Sequence, residues 1–293
     1  MTFRKPTADL FIPDGAAAPA ALARATHLAV GAHQDDIEFM AVHGVLACFG
    51  LPVRAFGGIC CTNGAGSARI GPYAGVSNED MCRLRRAEQR SAAVIGQYAF
   101  VAQLDYASSE VKTPGSPDLV ADLAALFEAS RPQAVYTHNL ADKHETHVAV
   151  AVTTLLALRR LPRAQRPAKF YGCEVWRDLD WLPDDSKVVF DVSSRQNLQA
   201  ALNGVYDSQI AGGKRYDLAA MGRRRSNATF LESHAADKTE LAAFAMDLSP
   251  LIEDDSRDPI EYVMGFVRRF EADVRSKLAA RLPGRPAADG RAG

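Results

Sequence analysis

The sequence predicts an α/β protein: a mostly parallel sheet with helices on both faces, extended by a C-terminal α+β elaboration. Three observations carry this. Short apolar runs alternate with stretches of helical period through the first half of the chain, the pattern of a parallel sheet with right-handed crossovers. Dense polar clusters follow the first and the fourth apolar runs, where open parallel sheets bind ligands. Past Pro167 the alternation weakens, which marks the elaboration.

Taken in order, residues 1–25 form an arm rich in Pro and Ala, expected to drape over the domain or to pack on a second subunit. Residues 26–282 are expected to be one domain, elaborated from about 168, with 283–293 a flexible tail. The first strand is expected at 27–32. The helix 39–49 follows and ends at Gly50, a fitting C-cap. Further strands are expected at 53–60, 99–104 and 133–137. Between them come a Gly-rich loop at 62–78 and helices at 79–95 and 119–129, with another helix at 147–159. Asn78 is the expected cap of the second helix, and Arg83, Arg85, Arg86 and Arg90 are assigned mostly to its wet face. Later strands are expected at 169–176 and 187–192, and later helices at 195–206, 238–247 and 259–282.

Composition limits the function. The 293 residues are 47% hydrophobic and 24% charged, an ordinary globular balance. A net charge of −1 gives no electrostatic case for nucleic acid or an anionic membrane. The five cysteines are odd in number and form no CxxC pair, which suggests buried free thiols in a reducing compartment. There is no long apolar run for a membrane helix and no apolar core of signal-peptide type at the start. The expectation is a soluble cytoplasmic protein acting on a small molecule, with a homo-oligomer left open.

The chemistry concentrates in two stretches. HLAVGAHQDDIEFM runs a buried strand into His33, Asp35, Asp36 and Glu38. A His and an Asp three apart at a strand end can face one cation, which leaves Asp35 for proton transfer. The plainer alternative is a polar turn that caps a helix. THNLADKHETHVAV holds His138, Asp142, His144, Glu145 and His147. The first and fourth strands of a doubly wound sheet often flank the crevice, so the two clusters can meet. Catalytic zinc takes three His or carboxylate ligands and keeps a fourth position open, and this chain can supply such a set. His27 and His43 are expected to be structural, and His138 to make either a supporting hydrogen bond or a substrate contact.

AHQDDIE resembles the AHPDDE signature of the PIG-L/LmbE-like zinc-dependent N-deacetylases, and HETH resembles that family's second motif. The resemblance implies a Rossmann-like sheet and hydrolysis of an N-acetyl group on an N-acetylglucosamine-type amine. It implies one divalent metal, most simply Zn2+, held by His33, Asp36 and His147. It also implies Asp35 as general base and His144 as the group that stabilises the oxyanion or assists protonation. Three positions depart from the pattern: Gln34 replaces Pro, Ile37 replaces Glu, and Thr146 replaces an Asp before the last His. The last leaves Asp142 or Glu145 to orient His144.

Arg69, in the Gly-rich loop, is a candidate substrate contact. Lys214, Arg215 and Arg223 to Arg225 are read as a subunit interface in preference to an anion site, and Trp176 is left unassigned. The expected activity is an N-deacetylase of amino sugars or their conjugates. A metal-dependent amidase or esterase on a non-sugar metabolite is the alternative, followed by a non-catalytic metal-holding module. A nucleotide enzyme is disfavoured, because no GxGxxG follows the first strand.

Overall fold

The computed structural model describes residues 1–283; from 284 on, the expected tail lies outside the described residues. Eight strands form one sheet: β1 Asp9–Phe11, β2 His27–Gly31, β3 Phe56–Thr62, β4 Phe100–Tyr106, β5 Ala134–His138, β6 Lys169–Cys173, β7 Lys187–Asp191 and β8 Ala242–Asp247. Their order across the sheet is β1-β4-β3-β2-β5-β6-β8-β7. The block from β4 to β6 is parallel; β1 and β8 are added antiparallel at its edges, and β7 pairs antiparallel with β8. The chain builds outward from β2 through β3 and β4, then returns to the other side of β2 with β5. That reversal puts the switch point between β2 and β5, which pair from His27 with Ala134 to Val30 with Thr137.

Strands in such a block are covered on both faces, so their sequences read as near-continuous apolar runs. Leu28 and Val30 of β2 enter one core cluster with Ile59, Phe100, Leu123 and Leu158. Ala29 enters the other, with Ile37, Val45, Phe56 and Tyr136. Four of the five cysteines are buried free thiols. Among the described residues no helix is long and apolar enough to cross a membrane.

Several sequence expectations change. The helix expected at 238–247 is the strand β8. Its run Ala-Ala-Phe-Ala-Met is buried on both sides, and a short apolar run without polar punctuation carries no period to separate helix from strand. The helix expected at 39–49 starts earlier and is two pieces, Asp36–Met40 and Val42–Cys48. The helix Asn78–Ile95 is capped by Ser77, whose side chain accepts from the Asp80 N–H at 3.1 Å, and not by Asn78. Within residues 1–25, expected to drape over the domain or to pack on a second subunit, lie β1, paired antiparallel with β4, and the helix Ala18–Ala23.

Candidate active site

Beyond Gly31 the chain turns through Ala32, His33, Gln34 and Asp35, and a helix begins at Asp36. A side chain at Gly31 would lie 3.1 Å from Asp36 Cβ and Ile37 Cγ1, so its absence lets the turn fold back on the strand. Asp35 is at φ 98°, ψ −35°, a conformation costly for a residue with a Cβ and concentrated at functional sites. The turn brings His33 onto Asp36: the His33 N–H donates to Asp36 Oδ2 at 2.6 Å, and His33 Nδ1 lies 3.2 Å from the same oxygen.

The second cluster arrives from β5. The helix Glu145–Arg160 starts just after His144 and carries His147 in its first turn. His147 Nε2 is 3.3 Å from His33 Nδ1 and 3.4 Å from Asp36 Oδ1. Ligand atoms on a tetrahedral ion with bonds of ~2.0–2.1 Å are about 3.3 Å apart, so these three residues match the spacing of a zinc-sized site. Their protonation suits it too. Burial pushes the His147 imidazole down to about 4, which keeps it neutral with a lone pair available. Burial alone would raise the Asp36 carboxyl, but His147 and His138 hold it well below the usual carboxylate range. Asp142 Oδ2 lies 3.3 Å from His147 Nδ1 and so orients the ring from its far side. His138, fully buried, accepts from the Ala32 N–H at 2.9 Å and sits 3.4 Å from Asp36, a supporting position between the two clusters.

Asp35 meets Arg85 at 2.8 Å. Both side chains are nearly inaccessible, so the assignment of Arg85 to a wet face is corrected. Its position on the helix is turned toward the site, and Arg85 also donates to the Gln34 carbonyl. Burial pushes the Asp35 carboxyl up to about 6 against the pull of Arg85, and the Asp36 charge adds to the rise. Arg85 leans in turn on Glu88 at 3.3 Å, which accepts from both the N–H and the hydroxyl of Ser208 at 2.7 Å. Glu38 lies beneath the site and takes hydrogen bonds from Gln89, Tyr98 and Tyr206.

A cavity of about 850 Å3 opens onto this site. His33, Asp35, Asp36 and His144 reach it, as do Trp176, Lys143, Lys214 and Arg223. His144 stacks on His147 with ring centroids 4.5 Å apart, and its Nδ1 is buried with no hydrogen-bond partner among the described residues. Asp142 touches His144 only through the backbone: its Oδ1 accepts from the His144 N–H at 3.1 Å. Asp142 therefore orients His147 and not, as the sequence left open, the His144 ring. One further expectation is corrected. Arg69 is not among the lining residues. Its guanidinium donates to the carbonyls of Ala65 and Val76 and to Asn78, so it braces the loop. Lys214 and Arg223, read as interface, line the cavity. Arg85, Glu88 and Lys143 are site residues that sequence reasoning missed, and Trp176 was named without a role. The available signal was Arg85 at the position of the helix turned toward the apolar residues Met81 and Ala92.

Residues 28–158 match the family model described as PIG-L, GlcNAc-PI de-N-acetylase. No curated protein matches the chain. Among solved structures, an N,N'-diacetylchitobiose deacetylase from Pyrococcus horikoshii is similar at 15% identity and TM-score 0.58, over 78% of this chain and 85% of that one. A 4-carboxy-2-hydroxymuconate hydratase from Pseudomonas putida is similar at 18% identity and TM-score 0.58, over 76% of this chain and 96% of that one. A pseudoaglycone deacetylase is similar at 18% identity and TM-score 0.54, over 76% and 97%. At such identities the likeness establishes the α/β fold, and that fold hosts more than one reaction. The family match spans strands β2 to β5 and both polar clusters, and over residues 28–158 this chain is similar to the PIG-L family.

Proposed function

We propose that this protein is a metal-dependent hydrolase that removes the acetyl group from an N-acetylated small molecule of the amino-sugar type. The observation that carries the reading is the convergence of His33, Asp36 and His147 within 4.8 Å of one another, at the edge of a cavity that Asp35 and His144 also enter. A divalent ion held by those three residues, most simply Zn2+, would supply Lewis acidity, polarising an amide carbonyl and lowering the pKa of water toward ~7.

The remaining chemistry belongs to side chains. Asp35 accepts the proton of the attacking water as its oxygen bonds to the carbonyl carbon. Its carboxyl, raised to about 6, is basic enough to take that proton and acidic enough to return it. The returned proton goes to the nitrogen as the C–N bond breaks, leaving acetate and a free amine. Burial and the neighbouring His33 lower the His144 pKa, so its ring acts as a neutral N–H donor toward the oxygen that gains charge. Arg85 holds the Asp35 carboxylate in place, and Asp142 holds the His147 ring.

The test is acetate and free-amine release from a panel of N-acetylated sugars and non-sugar amides, with metal content measured. Metal-loaded wild type should release both, and Asp35→Asn should hold equal metal and lose at least about 100-fold in kcat. Normal turnover by Asp35→Asn with its metal intact would remove Asp35 from the base role. Release only from non-sugar amides would move the substrate to the amidase alternative.

A further inference from the structure

The cavity is unevenly charged. Its acids are already engaged: Asp35 by Arg85, Asp36 by three histidines, and the buried Glu174 by Asn227 and by the N–H groups of Leu179 and Phe244. Its lysines are not. Lys143 and Lys214 lie 6.0 and 5.0 Å from the centroid of the same indole, Trp176, and among the described residues neither is in a salt bridge. Lys112, also lining the cavity, has only the exposed Glu145 at 3.7 Å. The indole centroid lies 6.1 Å from that of the His144 ring, and both lysines line the cavity that His144 enters. The protein as a whole has a net charge of −1, so this local excess is a property of the site. Two cations gathered around one indole in one cavity favour an anion between them, which would gain charge-assisted hydrogen bonds from both.

We propose that the substrate carries an anionic group, a carboxylate or a phosphate, held by Lys143 and Lys214 on the Trp176 face while its acetamide lies at His144. The inference rests on the hydrolase reading for the position of the acetamide, but not for the anion site itself. Lys143 and Lys214 then decide specificity, and their effect falls on KM more than on kcat.

The test has an activity arm and a binding arm. Acetate release is compared for N-acetylglucosamine, N-acetylmuramic acid and N-acetylglucosamine 6-phosphate, which share a ring and differ in the charged group. One charged compound should exceed the neutral one at least about tenfold in kcat/KM, the worth of a charge-assisted hydrogen bond. Which one leads identifies carboxylate or phosphate. The preference should shrink in Lys143→Ala and Lys214→Ala through KM, persist in Lys214→Arg, and fall as salt rises. Equal turnover of all three would overturn the anion proposal and leave the hydrolase standing. In the binding arm, tryptophan fluorescence of the metal-loaded protein is titrated with inorganic phosphate and with succinate. A saturable change for either anion, lost in the Lys143→Ala/Lys214→Ala double variant, supports the site even if no acetamide is cleaved. No response to either anion, or an equal response in the double variant, overturns it.

Discussion

Arg85 and Asp35 are each almost fully buried and 2.8 Å apart, with the Asp35 backbone at positive φ. A buried pair adds little over a well-packed apolar pair, but removing one partner leaves the other uncompensated. Arg85→Met should therefore cost about 3–5 kcal/mol in urea unfolding and lower kcat by releasing the Asp35 carboxylate. Adding Asp35→Asn should recover a large part of that stability, because the orphaned charge is gone. A double-mutant cycle measures this, and strictly additive effects would show that the pair is not coupled.

At the scale of elements, the helix Val42–Cys48 packs Gly44 against the sheet. A Cβ there would lie 2.8 Å from a Tyr136 ring carbon and 2.9 Å from a Phe56 ring carbon. Alanine would gain about 1 kcal/mol of helix propensity, but overpacking two core rings costs about 1–3 kcal/mol. The expected result of Gly44→Ala is a lower urea midpoint; a higher one would mean that the rings yield easily. The same helix carries His43, whose Nδ1 is 2.9 Å from the Tyr136 hydroxyl and whose ring stacks on Phe190 at 4.0 Å. Tyr136 and Phe190 lie on strands β5 and β7, so His43 ties the helix to two places in the sheet.

For the whole molecule this makes stability depend on pH. Burial pushes the His43 imidazole down to about 4, with His27 adding to the effect, and His27 itself is lowered by burial. The unfolded chain therefore binds these protons first. Stability is full above the unfolded histidine pKa of ~6.5 and falls as pH drops toward 4, where the folded His43 also protonates. Asp35 and Glu38, raised by burial to about 6 and about 7, act in the opposite direction, so the His43 contribution is read as a difference: between pH 7.5 and 5 the urea midpoint of wild type should fall relative to that of His43→Gln. An equal pH dependence of the two proteins would contradict this.

The alternation of apolar runs and the two polar motifs determine the parallel sheet and bring His33, Asp36, His144 and His147 into view, because each motif is local and sits at a strand end. What the sequence leaves open depends on which face a residue turns inward. Arg85 looks like its neighbours Arg83 and Arg86 until the helix is docked and only one of them points at Asp35. Arg69 and Lys214 sit in loops whose course is set by hydrogen bonds to distant residues, and folding sends one to brace a loop and the other to line the cavity. Strand β8 is an apolar run that gains its conformation from pairing with β6 and β7 on both edges. Local spacing therefore determined the fold and the candidate ligands, while burial and long-range pairing, which no local pattern encodes, decided what surrounds Asp35 and where the cavity's positive charge lies.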